Sequence, residues 1–307
     1  MSEITQVAVI GAGLMGHGIA QVFASAGHPV TLTDASASTL GQAPARIARN
    51  LQQLDRESGP VLSRIRLEKS VKGAVAQADL IFEAVPEKPE LKVALFREVA
   101  EAAPPTAILA SNTSAIPITD LGSALSGQAR SRLLGTHWWN PPHLVPLVEV
   151  VRTRFTSPDV FERTFAILHA AGKRPVRVNR DLPGFIGNRL QHAMWREALA
   201  MVETGVCDAE TIDTVVKQGF GLRLPVLGPM ENADLIGLEL TRDVHRTLFP
   251  HLDNSQQPAA LLEVLIEQGR CGMRSGAGLR AWTPEEARAA QDRLAEWLIA
   301  RTKTGGG

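Results

Sequence analysis

The chain has 307 residues, and its 32 lysines and arginines balance 32 aspartates and glutamates. A chain of this length suits two medium domains, and the even charge leaves no field to attract nucleic acid or an anionic membrane, so small-molecule partners are expected. Cys207 and Cys271 are the only cysteines, with no CxxC pair and no histidine at zinc spacing, which suggests neither a disulfide framework nor a metal site. MSEITQVAVIG has no basic region ahead of an apolar segment, and no run reaches the roughly 18 apolar residues of a membrane span, so the expected location is cytoplasmic. On that ground the sequon-like Asn112-Thr113-Ser114 carries no glycosylation meaning.

In chain order, TQVAVI reads as a short β-branched strand that breaks into GAGLMGHGIA and continues with helical spacing through Val22 and Phe23. Gly11, Gly13 and Gly16 fit G-x-G-x-x-G, in which the glycines permit a tight turn, close approach of a pyrophosphate and close helix packing. The helix N-terminus supplies free N–H groups to the phosphates. A second strand, HPVTLTD, ends in Asp34, where a carboxylate would accept from a ribose 2′-hydroxyl and repel a 2′-phosphate. The expected cofactor is therefore NAD rather than NADP.

The alternation continues with an amphipathic, arginine-rich stretch from about Ala43 to Leu67, a strand ADLIFEAV, a helix from Pro89 to Ala102 and a strand AILAS. A strand pair around RLLGTHWW and LVPLVEVV follows. Strands alternating with helices predict an α/β fold, a Rossmann-type, doubly wound and mainly parallel sheet. Ligands of such sheets sit beyond the carboxyl ends of the strands. Glu83 to Glu87, Ser111 to Ser114 and His137 to Asn140 all fall at such ends and should face one crevice.

After KRPVRVNRDLPGF, punctuated by Asp181, Pro183 and Gly184, the pattern becomes helical. A long helix, IGNRLQHAMWREALAMVETG, closes at Gly205, and no convincing strand follows. The expected division is a cofactor domain over 1–181 and an all-α domain over 182–304, with the closing TGGG disordered. Ile186, Leu190, Met194, Ala198 and Met201 lie near one face of the long helix, more apolar than a lone surface helix needs, which points to a homodimer interface.

GTHWWNPPHLVPLVEV holds His137 at the end of one apolar run and Glu149 inside another. An ionised carboxylate in an apolar strand is costly unless paired and hydrogen-bonded. If the two strands are neighbours, Glu149 can bond one imidazole nitrogen and leave the other for a substrate, the arrangement of a general base. A core histidine bonded to a carbonyl, with Glu149 paired to an arginine, fits the spacing equally well.

GAGLMGHGIA, FEAVPE, SNTS, GTHWWNPP with LVEV, PGFIGNRL and GMRSGAGL together resemble the 3-hydroxyacyl-CoA dehydrogenase family, in the family's order and over nearly the whole chain. The resemblance implies an NAD-dependent dehydrogenase that oxidises a 3-hydroxy group, with His137 as catalytic base and Glu149 as its orienting acid. It assigns Ser114 and Asn188 to the substrate's reacting oxygen, and cofactor contacts to Asp34, Glu87, Lys92, Asn140 and Arg274. Leu14, Met15, Ala84 and Asn112 join the three glycines as cofactor-binding positions on the same ground.

Two departures bear on the substrate. Members that use CoA esters carry a longer helical hairpin after the second strand; here ARIARNLQQLDRESGPVLSRIRLEKSV is shorter by about a turn or more of each arm, although Arg46, Arg49, Arg56, Arg64 and Arg66 are present. GFGLRLPVLGPME places Arg223 in an expected extended loop, and with the neighbouring segments it looks more like the L-gulonate 3-dehydrogenase and lambda-crystallin branch, whose enzymes oxidise free hydroxy acids. Arg223 is the candidate to receive a substrate carboxylate, since a guanidinium fork matches that group; a structural salt bridge is the competing role. A small free L-3-hydroxy acid is the favoured substrate, a CoA thioester the first alternative, and a non-catalytic crystallin-like NAD-binding protein the second. The Trp138–Trp139 pair either narrows the pocket or simply packs.

Overall fold

The computed structural model describes residues 6–303; the TGGG tail, residues 304–307, lies outside the described residues. The first half alternates as expected: β1 (Val7–Ile10), α1 (Leu14–Ser25), β2 (Val30–Thr33), α2 (Ala37–Gln53), α3 (Gly59–Leu62), β3 (Ile65–Glu68), α4 (Val71–Val75), β4 (Leu80–Glu83), α5 (Pro89–Ala102) and β5 (Ile108–Ser111). Then come α6 (Ile118–Gly122), α7 (Gly127–Ser131), β6 (Leu133–Trp138), β7 (Leu147–Val151), α8 (Pro158–Ala170) and β8 (Arg174–Val178). The remainder is helical: α9 (Gly187–Glu203), α10 (Ala209–Gln218), α11 (Pro229–Ile236), α12 (Leu238–Leu248), α13 (Ala260–Glu267) and α14 (Pro284–Lys303).

The strands form one eight-stranded sheet in the order β3-β2-β1-β4-β5-β6-β7-β8. Every neighbouring pair is parallel except β6–β7, whose antiparallel register sets His137 directly opposite Glu149. Both faces of the sheet are covered, so the strands read as apolar runs. Val7, Val9, Leu80 and Phe82 turn toward α1, α2 and α8, and Ala8, Ile10, Ile81 and Leu109 turn into the core on the other face, against α5.

Two readings of the sequence change. The stretch from Ala43 to Leu67 is not one amphipathic element: α2 begins at Ala37 on a Ser36 cap, its companion α3 is a single turn, and the last residues are the edge strand β3. Arg174-Pro-Val-Arg-Val178, read as part of a boundary, is β8, pairing parallel with β7. Its two arginines and a proline hide the strand signal. An edge strand tolerates all three: Arg174 and Arg177 stay exposed, and Pro175, though buried, has its missing N–H on the open edge, where no ladder partner is needed.

Two compact units result. Described residues 6–189 with 296–303 hold the whole sheet, and Leu190–Ala295 is helical. The first unit is densely buried. In the second, Leu265 and Ala287 are the only buried apolar side chains among the described residues, while Leu190, Leu235, Leu238, Leu240 and Phe249 are exposed. This unit also carries a largely apolar groove of about 950 Å³, lined by Trp195, Leu199, Val202, Ile212 and Leu262 among others. No helix among the described residues is long and apolar enough to cross a membrane.

Candidate active site

The glycine turn is built as the cofactor loop requires, each glycine for its own reason. Gly11 has φ +100°, and a Cβ there would stand 2.5 Å from the Ala84 carbonyl oxygen. A Cβ at Gly16 would stand 1.6 Å from the Gly11 carbonyl oxygen, so α1 leaves the turn in direct backbone contact with it. Around Gly13 nothing lies within 4 Å of such a Cβ, which leaves open room where a pyrophosphate would approach. Asp34, just past β2, accepts from the Ala12 N–H at 2.7 Å and from the Ser36 N–H at 2.8 Å, locking the turn to the second strand. Leu14 is exposed, and Met15 and Ala84 are partly exposed along the same turn. These residues fit a dinucleotide.

A buried polar network ties the next strand ends together. Lys92, fully buried on α5, sets its ammonium 2.6 Å from Glu83 Oε1 and 3.2 Å from Glu87 Oε2, and donates to the Val85 carbonyl at 3.3 Å. Ser111 donates to the other Glu83 oxygen at 2.6 Å. Glu87 Oε1 accepts from the Thr113 hydroxyl at 2.5 Å and from the N–H groups of Ser114 and Ala115 at 2.9 and 3.1 Å. Burial pushes the Glu87 carboxyl upward, but these donors and Lys92 outweigh it and hold the group below the ordinary carboxylate range. Asn112 donates its N–H to the Glu83 carbonyl and accepts the Trp138 N–H at 3.0 Å, linking three strand ends in one frame. The Lys92 ammonium thus faces carboxylates, and Glu87 is the member that stays exposed.

At the end of β6, buried His137 lies with Nδ1 2.6 Å from Glu149 Oε2. With that nitrogen donating to the carboxylate, Nε2 keeps its lone pair. The other Glu149 oxygen accepts from the N–H groups of Ile186 and Gly187 at 2.9 and 3.0 Å, at the start of α9. Burial again works against the charge; the His137 bond and the two backbone donors outweigh it, and the Glu149 carboxyl is held low. Asn188, one residue on, donates through Nδ2 to the Ser114 carbonyl at 3.0 Å, joining α9 to the SNTS loop. His137, Glu149, Ser114 and Asn188 are therefore brought together. Phe185, with φ +49°, packs its ring 5.5 Å from the imidazole.

The remaining candidates are less constrained. Asn140 is exposed after β6. Arg274 is exposed in a one-turn 3-10 helix, Met273–Ser275, of the helical unit. Arg223 does not sit in an extended loop: Phe220–Leu222 is a 3-10 turn, and the Arg223 carbonyl accepts from the N–H groups of Val226 and Leu227, because the flanking glycines let the chain coil tightly. Its guanidinium is exposed, with no ion pair among the described residues. The arginines of the shortened hairpin divide: Arg64 donates to the Pro60 and Ala24 carbonyls and Arg66 pairs with Glu68, whereas Arg46, among the described residues, bonds only the amide of Gln42.

Sequence reasoning missed several members. Thr113 as the donor to Glu87, the enclosure of Lys92 and the grip of Glu149 on α9 depend on residues brought together by the sheet. His17 is another: it is buried, and its Nδ1 lies 2.6 Å from the Gly13 carbonyl, behind the phosphate-binding turn. Its position directly after GLMG was the available signal.

Comparison with known proteins agrees with this geometry. Residues 6–182 match the NAD binding domain of 3-hydroxyacyl-CoA dehydrogenase, and residues 184–282 match its C-terminal domain. The chain is 34% identical over 301 residues, 97% of each chain, to 5-formyl-3-hydroxy-2-methylpyridine 4-carboxylate 5-dehydrogenase of Mesorhizobium japonicum. A solved structure of a 5-dehydrogenase of that name, an NAD+-dependent dismutase, superposes with TM-score 0.90 at 32% identity, covering 99% of this chain and 100% of the other. A probable 3-hydroxybutyryl-CoA dehydrogenase of Bacillus subtilis is 36% identical over 284 residues, covering 90% of this chain and 96% of the relative. With the glycine turn, the sheet and both matched domains in place, the chain belongs to the 3-hydroxyacyl-CoA dehydrogenase family and is an NAD-dependent oxidoreductase.

Proposed function

We propose that this enzyme oxidises the hydroxyl of a small free L-3-hydroxy acid to the 3-oxo compound, with His137 as general base. The observation that carries the reading is the 2.6 Å bond from His137 Nδ1 to Glu149, which leaves Nε2 free to take a hydroxyl proton. NAD, when bound, would supply the acceptor for the hydride that leaves the carbon carrying that hydroxyl. The chain's own residues do the rest. Glu149 keeps the imidazole in the productive tautomer and stabilises the imidazolium that forms. Ser114 and Asn188 hydrogen-bond the reacting oxygen, and in the reverse direction protonated His137 returns the proton. On the cofactor side, Gly11, Gly13 and Gly16 with Leu14 and Met15 form the phosphate turn, and Asp34 takes the ribose. Ala84, Glu87, Asn112, Asn140 and Arg274 complete the binding positions, and Lys92 acts through the Glu87 it holds.

A free acid is favoured over a CoA ester by three features: the one-turn α3 of the hairpin, the unpaired Arg223 offered to a substrate carboxylate, and the similarity to a relative named for a pyridine carboxylate. The likeness of the C-terminal segments to L-gulonate 3-dehydrogenase and lambda-crystallin points the same way. The work divides close to the expected bounds, 1–181 for the cofactor and 182–304 for substrate and dimerisation, except that residues 182–189 and 296–303 belong to the unit that holds the sheet. The apolar surface left open on the helical unit supports a homodimer formed through that unit, and a cytoplasmic location is part of the same proposal.

The test is NADH formation with a panel of free L-3-hydroxy acids and L-3-hydroxyacyl-CoA esters, with Arg223→Met measured alongside. Turnover of small free acids that falls at least tenfold in kcat/KM in Arg223→Met is the expected result. Preference for CoA esters with unchanged Arg223→Met kinetics would reverse the substrate assignment.

A further inference from the structure

Two aromatic rings flank His137, and they are held in different ways. Phe185 is buried in the core, whereas Trp139 is half-buried with its ring 5.5 Å from the imidazole at an interplanar angle of 57°. The Trp139 indole is seated on Gly187, the first residue of α9. A Cβ at 187 would stand 2.4 Å from ring atom Cζ2 and 3.3 Å from both Cε2 and Cη2. Gly187 is not among the glycines with positive φ, so its backbone conformation does not itself require glycine; the space taken by the indole does. The Gly187 N–H also donates to the Glu149 carboxylate that holds His137. Histidine, glutamate, glycine and tryptophan therefore form one packed group.

The indole is held there by packing: its Nε1 is buried and has no hydrogen-bond partner among the described residues. A planar ring locked at one edge by close contact does not swing aside without shifting its neighbours. We propose that Trp139, seated on Gly187, is the size-limiting wall beside His137 and restricts the substrate to a small group on the carbon that carries the reacting oxygen. The proposal rests on the reading that His137 faces the substrate.

The test measures binding apart from turnover. Calorimetry on the NADH-loaded enzyme follows L-3-hydroxybutyrate and L-3-hydroxyhexanoate, which form non-reacting complexes because the cofactor is already reduced. The wild type should bind the shorter acid at least tenfold more tightly. Trp139→Leu should narrow that ratio and Trp139→Ala should erase it, with Trp139→Leu sufficient if the alanine variant does not fold. The same ratio in all proteins, or no binding of either acid to any of them, overturns the proposal. A ratio that moves as expected while no hydroxy acid is oxidised would keep the wall and remove the catalytic reading; oxidation with an unmoved ratio would do the reverse.

Discussion

His137 and Glu149 stand in direct register across the antiparallel β6–β7 pair, and Glu149 divides its oxygens between the imidazole and the N-terminal N–H groups of α9. One carboxylate thus orients the base and anchors the helix that carries Asn188. In Glu149→Gln the amide oxygen can still accept from the helix, but the amide N–H₂ faces Nδ1 and favours the opposite tautomer. We expect kcat to fall about 100- to 10,000-fold, as for loss of a general base, with NAD affinity within about threefold. His137→Gln should behave alike. Single-turnover NADH absorbance checks both, and either variant retaining a tenth of wild-type kcat would refute the pair's role.

The glycine turn separates fold from ligand. Gly16→Ala drives a Cβ into the Gly11 carbonyl and should destabilise the protein by more than about 3 kcal/mol. Gly13→Ala meets nothing within 4 Å, so its melting temperature should stay within a degree or two while NAD affinity drops at least tenfold. Calorimetric NAD titration of Gly13→Ala, beside its melting curve, decides the matter; unchanged affinity would place the pyrophosphate elsewhere.

Removing Lys92 should unsettle the SNTS loop. Lys92→Met leaves Glu83 buried without its cation, which typically costs about 3–5 kcal/mol, and loosens the Glu87 bonds that hold Thr113, Ser114 and Ala115. Urea unfolding and kcat should both fall. Adding Glu83→Gln to Lys92→Met should restore part of the stability, because the stranded charge is gone; no recovery would show that the network's worth lies elsewhere.

Acid should destabilise the protein through His143. Burial, helped by the neighbouring positive charges of His17 and Lys173, lowers its pKa from 6.5 to about 4. The unfolded chain then binds the proton more readily than the folded one. The contribution to stability is therefore complete above about pH 6.5 and is lost as pH falls toward 4. After allowance for its partial exposure this is on the order of 2 kcal/mol. Melting temperature against pH should show the decline, and His143→Gln should flatten it; equal slopes would assign the effect to other groups.

Dimer formation should be inseparable from folding of the helical unit, since Leu265 and Ala287 alone are buried there among its described apolar residues. Sedimentation at decreasing concentration should give a dimer, and Leu235→Lys with Leu238→Lys should yield monomer together with loss of helical circular dichroism. A monomer that keeps its full helical signal would contradict this.

Much of the fold and part of the site are legible in the residues themselves. Short apolar runs, glycine punctuation and a proline at a helix start are local signals, so GAGLMG, the α5 span Pro89–Ala102 and the alternation of strands could be read directly. The His137–Glu149 pair could be suggested, because an acid among valines demands a partner. What the tertiary structure alone decided is who that partner is and what else the acid holds. Lys92, Glu87 and Glu149 take their partners from other strands and loops, and the coiled turn at Arg223 and the edge strand 174–178 follow from their surroundings. A charged side chain carries the need for a counter-charge in its own chemistry, but only the packing of distant segments supplies one, and that packing is settled by the whole core at once.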